Sequence, residues 1–437
     1  MTAAEQPPPP DPRWPLALRW AFRFCCAWFA LYAFPWPLSL LPGTGQAVNF
    51  YADHWNAGIS WAAAHLLHLE GPISEASNGS GDRLFSWVEM GCYLALAALA
   101  AVVWSALDRK RPHYQELNGW LRILVRYQLA GIMIGYGLAK MIKNQFPFPF
   151  PIRLEEKVGD LSPMGLLWTF MGYSTPYTFF AGAGEVAGAV LLYFRRTTTL
   201  GALILAAMLA NVVALNFSYD VPVKLYSSYL LLLAIFLLVP DLGRLGRVLV
   251  LNQPAPPADL RPPYRARGLV ALGYLLKAGL AAMAIYQSAS MNLEAHESPS
   301  KPAAGLSGAW KVEEFVRAGV TVPPLAGDAS RWRMVFVTEV AWGRFLTVQG
   351  MDDAKTPYGL TVERKDAGPT GTLQLTPRND PKAPKLRLAF TRPDPEHLIV
   401  EGDLQGPVRL RLQRIDPAGY LLVNRGFHWV NEVPFNR

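Results

Sequence analysis

Ionisable and amide side chains interrupt the long apolar runs of this chain, and their types suit ligand binding or proton handling. Lys140, Lys143 and Asn144 close the stretch YGLAKMIKNQFPFPFP, Glu185 stands among Gly182, Gly184 and Gly188, and Asn211 lies inside a later apolar run. Asp220 and Lys224 flank Pro222, and Lys277 sits in the last apolar run. A carboxylate or ammonium in apolar surroundings is costly, so such groups pair, neutralise or face a polar cavity. Lys140, Asn144, Glu185, Asn211, Asp220 and Lys224 are the candidates to bind an anionic or quinone headgroup. No nucleophile with an adjacent base and orienting group is visible, so no catalytic residue is assigned.

Two arrangements are open for the mid-run charges. Glu185 and Lys277 both count to the middle of their helices, where neither reaches water. Either the two helices pack so that Glu185 and Lys277 form a buried pair, or Glu185 hydrogen-bonds Asn211 while Lys277 faces a polar cavity. In the helix ending at Asn144, about 100° per residue puts Arg126, Met133, Gly137, Lys140 and Asn144 on one face and Gly131 and Gly135 on another. That polar face is expected to look into a bundle. Its charges either build a site or, lying about 20 Å apart along the axis, reach water at opposite ends. The Asp220 and Lys224 turn likewise reads as the mouth of a site shared with Lys140 and Lys143, or as a surface ion pair.

The elements that must hold these residues are membrane helices. Of 437 residues 51% are hydrophobic and 17% charged, and apolar runs of the length that spans a hydrocarbon core recur. The net charge of +8 does not point to nucleic acid, because the basic residues cluster at the ends of apolar runs and form no stripe with stacking aromatics. A disordered proline-rich lead is expected over 1–15, then a membrane domain over 16–290 with seven transmembrane helices near 16–41, 85–107, 120–142, 176–194, 200–217, 225–239 and 268–289. The first reads as a retained signal anchor. Between the first two, Trp55, Ile59, Ala62, Ala63 and Leu66 recur at helical spacing, as in an amphipathic surface helix. Nearby His65 and His68, with Asp53, His54 and Glu70, are metal-ligand types but read as solvated polar positions, and no metal is assigned. Ser162-Pro163 and Ser174-Thr175-Pro176 each start a helix, the first too short to span. Cys25, Cys26 and Cys92 form no CxxC, which excludes a dithiol relay.

Lysine and arginine asymmetry sets the expected orientation. Fourteen flank the loops placed inside, among them Arg19, Arg23, Arg109, Arg195, Arg196 and Arg244, against Arg83, Lys143, Arg153, Lys157 and Lys224 outside. The N-terminus is then cytoplasmic, and seven spans put the C-terminus outside.

From 303 to 437 the pattern changes. Alternating runs such as RMVFVTEV, FLTVQ, YGLTVER, TLQL, KLRLAF, HLIVEG and VRLRLQ, separated by Gly, Pro and Asp clusters, predict an all-β extracytoplasmic domain, a barrel or an antiparallel sandwich. Its Gly308-Ala309-Trp310 opening resembles the GxW entry of lipocalin-like barrels, with Trp310 as a core plug.

The segment from about 126 to 244 resembles the DoxX-like family of small four-helix membrane proteins, through YGLAKMIKNQFP, SPMGLLWTFMGYS, the glycine-flanked Glu185, RRTTTLGAL, NVVALNFSYDVPVK and LVPDLGRL. Gly137, Lys140 and Glu185 carry the match, and the DoxX-like core is placed at 120–244. The resemblance implies a redox-associated, quinone-linked component of a bacterial-type cytoplasmic (inner) membrane, with the lipid bilayer as its setting and a quinone or other lipophilic ligand. Two departures stand against it: additional spans and an appended β domain. The alternative is a non-catalytic anchor that binds a lipid or protein partner. A third reading, a membrane enzyme with a lysine base, is akin in outline to vitamin K-dependent carboxylases.

Overall fold

The computed structural model describes residues 13–76, 78–258, 260, 267–297, 305–340, 343–364, 368–380 and 382–436. Most of the proline-rich lead, and Arg261 and Arg265 of the basic linker, lie outside the described residues. The chain divides into two compact units, Met1–Met141 with Phe180–Ala289, and Ile142–Phe179 with Ser290–Arg437.

The helices in chain order are α1 (Leu16–Ala33), α2 (Gly45–His65), α3 (Leu84–Leu107), α4 (Gln115–Met141), α5 (Pro151–Leu154), α6 (Pro163–Tyr173), α7 (Thr175–Leu192), α8 (Thr198–Ser218), α9 (Lys224–Leu238), α10 (Leu242–Leu245) and α11 (Arg267–Glu297). In α4 the apolar residues Leu121, Val125, Leu129 and Met133 recur every four positions and are buried, and Arg126, Gln128, Gly137 and Lys140 are buried with them. Arg126, Met133, Gly137 and Lys140 of the predicted stripe therefore face the interior, whereas Asn144 lies beyond the end of α4 and is half-buried. Phe29, Leu192, Leu205, Leu233 and Leu237 complete this core.

Among the described residues, four helical stretches are long and apolar enough to cross a membrane: Leu16–Leu40, Leu84–Leu107, Arg195–Ser218 and Lys224–Val250. The expected count of seven is not met. For two of the three missing, the reason lies in side-chain orientation: α4 spends Arg122, Arg126 and Lys140, and α7 spends Glu185 and several small residues, on protein contacts instead of lipid, which lowers their apolar content. The expected amphipathic helix is α2, whose Ile59 and Ala63 pack on Phe85 and Val88 at the start of α3. His54 and His65 hydrogen-bond the carbonyls of Phe50 and Trp61, one turn back on the same helix.

The second unit holds the strands β1 (Gly308–Arg317), β2 (Val320–Thr321), β3 (Trp332–Val340), β4 (Gly343–Gly350), β5 (Lys355–Glu363), β6 (Thr370–Pro377), β7 (Leu386–Thr391), β8 (His397–Asp403) and β9 (Pro407–Arg414), then α12 (Leu421–Asn424). Neighbouring strands pair antiparallel in chain order except for β2, a short flap on β1, and β1 pairs with β9. The result is a closed eight-stranded barrel without free edges. One side of each strand points inward: Trp310 and Val312 of β1, Val335 and Val337 of β3, Leu373 and Leu375 of β6, Leu410 and Leu412 of β9. A bulge between Val312 and Glu314 resets the alternation, so that Phe315 also faces inward. Trp310, Phe315, Leu375 and Leu410 are 0% exposed, so no water-sized void touches them and the interior is filled by side chains. Trp310 donates its indole N–H to Leu306 O at 2.8 Å, and Arg414 of the last strand lies over its ring.

Ala309, Met334 and Phe336 point outward from β1 and β3 yet are buried, because Ile152 of α5 and Ile415 pack on them. Lys355 pairs with Glu156 at 3.0 Å, and Tyr420 donates to Glu155 at 2.5 Å. The segment that follows the FPFPFP break thus forms part of the barrel unit. Ser162 starts α6 as its sequence predicts, its hydroxyl accepting Gly165 N–H at 3.0 Å.

Candidate functional site

The site begins with two glycines. A methyl group added at Gly137 would lie 2.7 Å from Gly182 O and 2.6 Å from Val186 Cγ2, so α4 and α7 meet at backbone distance there. One turn on, the same approach brings Lys140 against Glu185: Nζ donates to Oε1 at 2.9 Å and to Oε2 at 2.8 Å. The two side chains are 7% and 2% exposed. A lysine ammonium has three N–H donors, and Glu185 occupies two. The Tyr136 ring, one turn before Lys140, lies 5.7 Å from Nζ.

Aromatic residues extend from this pair through the unit. Tyr136 is 6.3 Å from Tyr226, Tyr229 stacks on Tyr32 at 3.8 Å, and Tyr32 lies 5.4 Å from Tyr93. Glu89 of α3 accepts the indole N–H of Trp55 at 3.0 Å and the Tyr93 hydroxyl at 3.4 Å. The Tyr229 hydroxyl is buried without a hydrogen-bond partner among the described residues. The interior of this unit is therefore bracketed by two carboxylates, Glu89 and Glu185, with five tyrosines between them.

The other anticipated residues lie elsewhere. Glu185 pairs with Lys140, not with Lys277, because the glycine crossing gives α4 the place beside it; Lys277 Nζ instead lies 5.0 Å from the Phe194 ring and 4.8 Å from that of Tyr274. Asn211 does not reach Glu185. It is exposed on α8, about 200° around the helix from the buried Leu209, and Asn216 is the buried amide, donating to Ser227 Oγ at 3.0 Å. Asn144 donates to Asn292 in the barrel unit, where Lys143 Nζ donates to Gly172 O at 2.6 Å, near the C-terminal end of α6. Lys224 pairs with Asp220 at 2.8 Å. The Asp220 and Lys224 turn is thus an ion pair, fastened by Asp82, whose carboxylate accepts Lys224 N–H at 2.8 Å and Leu225 N–H at 3.0 Å. The GxxxG pair Gly131 and Gly135 is not the close crossing: nothing lies within 4 Å of a methyl group at Gly131.

Sequence reading missed Glu89, Asp82 and the tyrosines. An acid inside the apolar α3 was a visible signal, as was the spacing of Tyr226 and Tyr229 on one side of α9. Asp82 carried none, since its role depends on a loop docking against a distant turn.

Fold and site together define a multi-helix unit with four membrane-length apolar stretches and a buried lysine–glutamate pair, in one chain with a closed β-barrel. A stretch of 116 residues, 26% of this chain, is 39% identical to "Uncharacterized protein YwoB" of Bacillus subtilis (strain 168) and covers 73% of that protein; over that stretch the chain belongs to the same family. No family model matches the chain. No solved structure matches it.

Proposed function

We propose that the helical unit is a DoxX-like, redox-associated membrane component in which the Lys140–Glu185 pair meets the head of a quinone-class lipophile. The observation that carries this reading is the pair itself, with both Glu185 oxygens on one ammonium and almost no exposure. A buried pair adds little stability over a well-packed apolar filling, so a chemical role better accounts for its place. A quinone head carries two carbonyl acceptors and takes up protons on reduction; Lys140 keeps a further N–H to donate, and the Tyr136 ring lies 5.7 Å from its Nζ. Tyr136 is 37% exposed, which gives a membrane-dissolved ring lateral approach. The arginine-rich helix ends face the cytoplasm of a bacterial-type inner membrane. The filled barrel interior argues against ligand capture there and leaves the outer surface for a protein partner.

Quinones extracted from the purified protein and identified by mass spectrometry test this. Near-stoichiometric quinone is expected in the native protein, with its loss from a folded Lys140→Met/Glu185→Gln double variant. Native protein without quinone, or a folded double variant with undiminished quinone, would end the proposal.

A further inference from the structure

A second site lies in the helical unit, apart from the lysine–glutamate pair. A cavity of about 540 Å³ is lined by Arg122 and Arg126 of α4, Arg195 and Arg196 of the turn before α8, and Arg244 of α10. Among the described residues the one carboxylate in its wall is Asp241, already held by Thr199 Oγ1 at 2.7 Å and by Arg244 Nη1 at 2.6 Å. Backbone carbonyls take further guanidinium donors: Arg126 donates twice to Leu192 O, and Arg195 and Arg244 reach Leu260 O and Pro256 O. Carbonyls satisfy donors without cancelling charge, and Arg122, Arg126 and Arg196 form no ion pair among the described residues, so positive charge is concentrated here. Arg126 is 5% exposed, which is not the posture of a side chain reaching for bulk water. Arg122 Nε is buried without a hydrogen-bond partner among the described residues.

The cavity adjoins a second of about 720 Å³, with which it shares Ile123, Arg195, Arg196 and Leu260. That neighbour is walled mainly by apolar side chains, including Leu124, Phe194, Leu272 and Leu276. A ligand filling both has a compact anionic head and an apolar body. Guanidinium forks match phosphate oxygens and hold them by charge-assisted hydrogen bonds.

We propose that the arginine cavity binds the phosphate of an anionic phospholipid headgroup, with the adjoining groove taking acyl chain. The test uses the full-length protein in neutral detergent, titrated with phosphatidylglycerol, phosphatidylcholine or inorganic phosphate, and reads thermal stability and lipid adducts in native mass spectra. Phosphatidylglycerol is expected to raise the melting temperature and give a retained adduct, while phosphatidylcholine and inorganic phosphate do neither. Arg122→Gln/Arg196→Gln is expected to weaken the phosphatidylglycerol response about tenfold. Arg196→Gln alone, at an exposed side chain whose loss spares the fold, is expected to weaken it part of the way. Arg247→Gln, which removes a nearby charge outside the cavity, is expected to leave it intact. Equal response to the two lipids, or an undiminished response in both folded cavity variants, would overturn the site. An equal response to inorganic phosphate would overturn the lipid assignment in favour of a free phosphate ligand.

Discussion

Gly137 and Gly182 touch through their backbones, and that contact sets which lysine meets Glu185. With 2.7 Å between a methyl added at Gly137 and Gly182 O, any side chain there forces α4 and α7 apart. Gly137→Ala is expected to cost about 1–3 kcal/mol by overpacking and to loosen the ion pair one turn away. The melting temperature in detergent checks this, with Gly131→Ala, at an open position, as the neutral comparison.

Breaking a buried pair strands a charge. Lys140→Met or Glu185→Gln alone is expected to destabilise by about 3–5 kcal/mol, and the double variant to recover most of that loss. Additive losses would mean that the residues act independently. Lys277→Met, against aromatic rings instead of Glu185, should not rescue Glu185→Gln.

The barrel core is complete within 303–437, but its outer patch is not. Expressed alone, this piece is expected to melt cooperatively and to self-associate through Ala309, Met334 and Phe336, because it lacks Ile152, which with Ile415 covers them in the full chain. Met334→Thr/Phe336→Thr should return it to a monomer in sedimentation experiments. Trp310→Ala, in the filled interior, is expected to cost about 3–5 kcal/mol.

Burial, and then the hydrogen bond to Glu155, push the Tyr420 phenol above its usual range. A group raised on folding stabilises fully below its unfolded value, about 10 for tyrosine, and loses that contribution as pH rises through the folded value. The barrel unit should therefore weaken above about pH 10, and Tyr420→Phe should flatten that part of its alkaline melting profile.

From the contacts of α5 on β1 and β3, residues 142–179 and the tail are expected on the same side of a membrane. Reporters inserted at Gly159 and fused after Arg437 are expected to agree, with a fusion at Gln253 cytoplasmic. Disagreement between the first two would break the seam between α5 and the barrel. If the basic ends near Arg109 and Arg244 share the cytoplasmic side, α4 crosses only if α11 also does.

Much of this architecture was legible because it repeats at short range. The alternation of RMVFVTEV and its fellows located strands β3 to β9, and the turn of about 100° per residue put Arg126, Gly137 and Lys140 of α4 on one buried face. A helical period says which face is buried but not which neighbour covers it. Mid-helix position matches Lys277 to Glu185 and does not match Lys140, whereas the true choice rests on a glycine contact between two helices. The span count failed on the same ground, since average hydropathy does not separate a polar residue facing protein from one facing lipid. Asp82 and Ile152 act across long sequence separations, beyond the reach of any local pattern.

The seam also orders the making of the protein. Glu155 waits for Tyr420, 265 positions later, and at about 5–20 residues per second the nascent chain needs tens of seconds to supply it. For that interval Ile152 and its neighbours have no barrel to lie on. Docking of α5 is consequently a late assembly step, and any chain truncated before β3 leaves it undone. A protease cutting near Lys157 would then distinguish unfinished chains from finished ones while both are still membrane-bound.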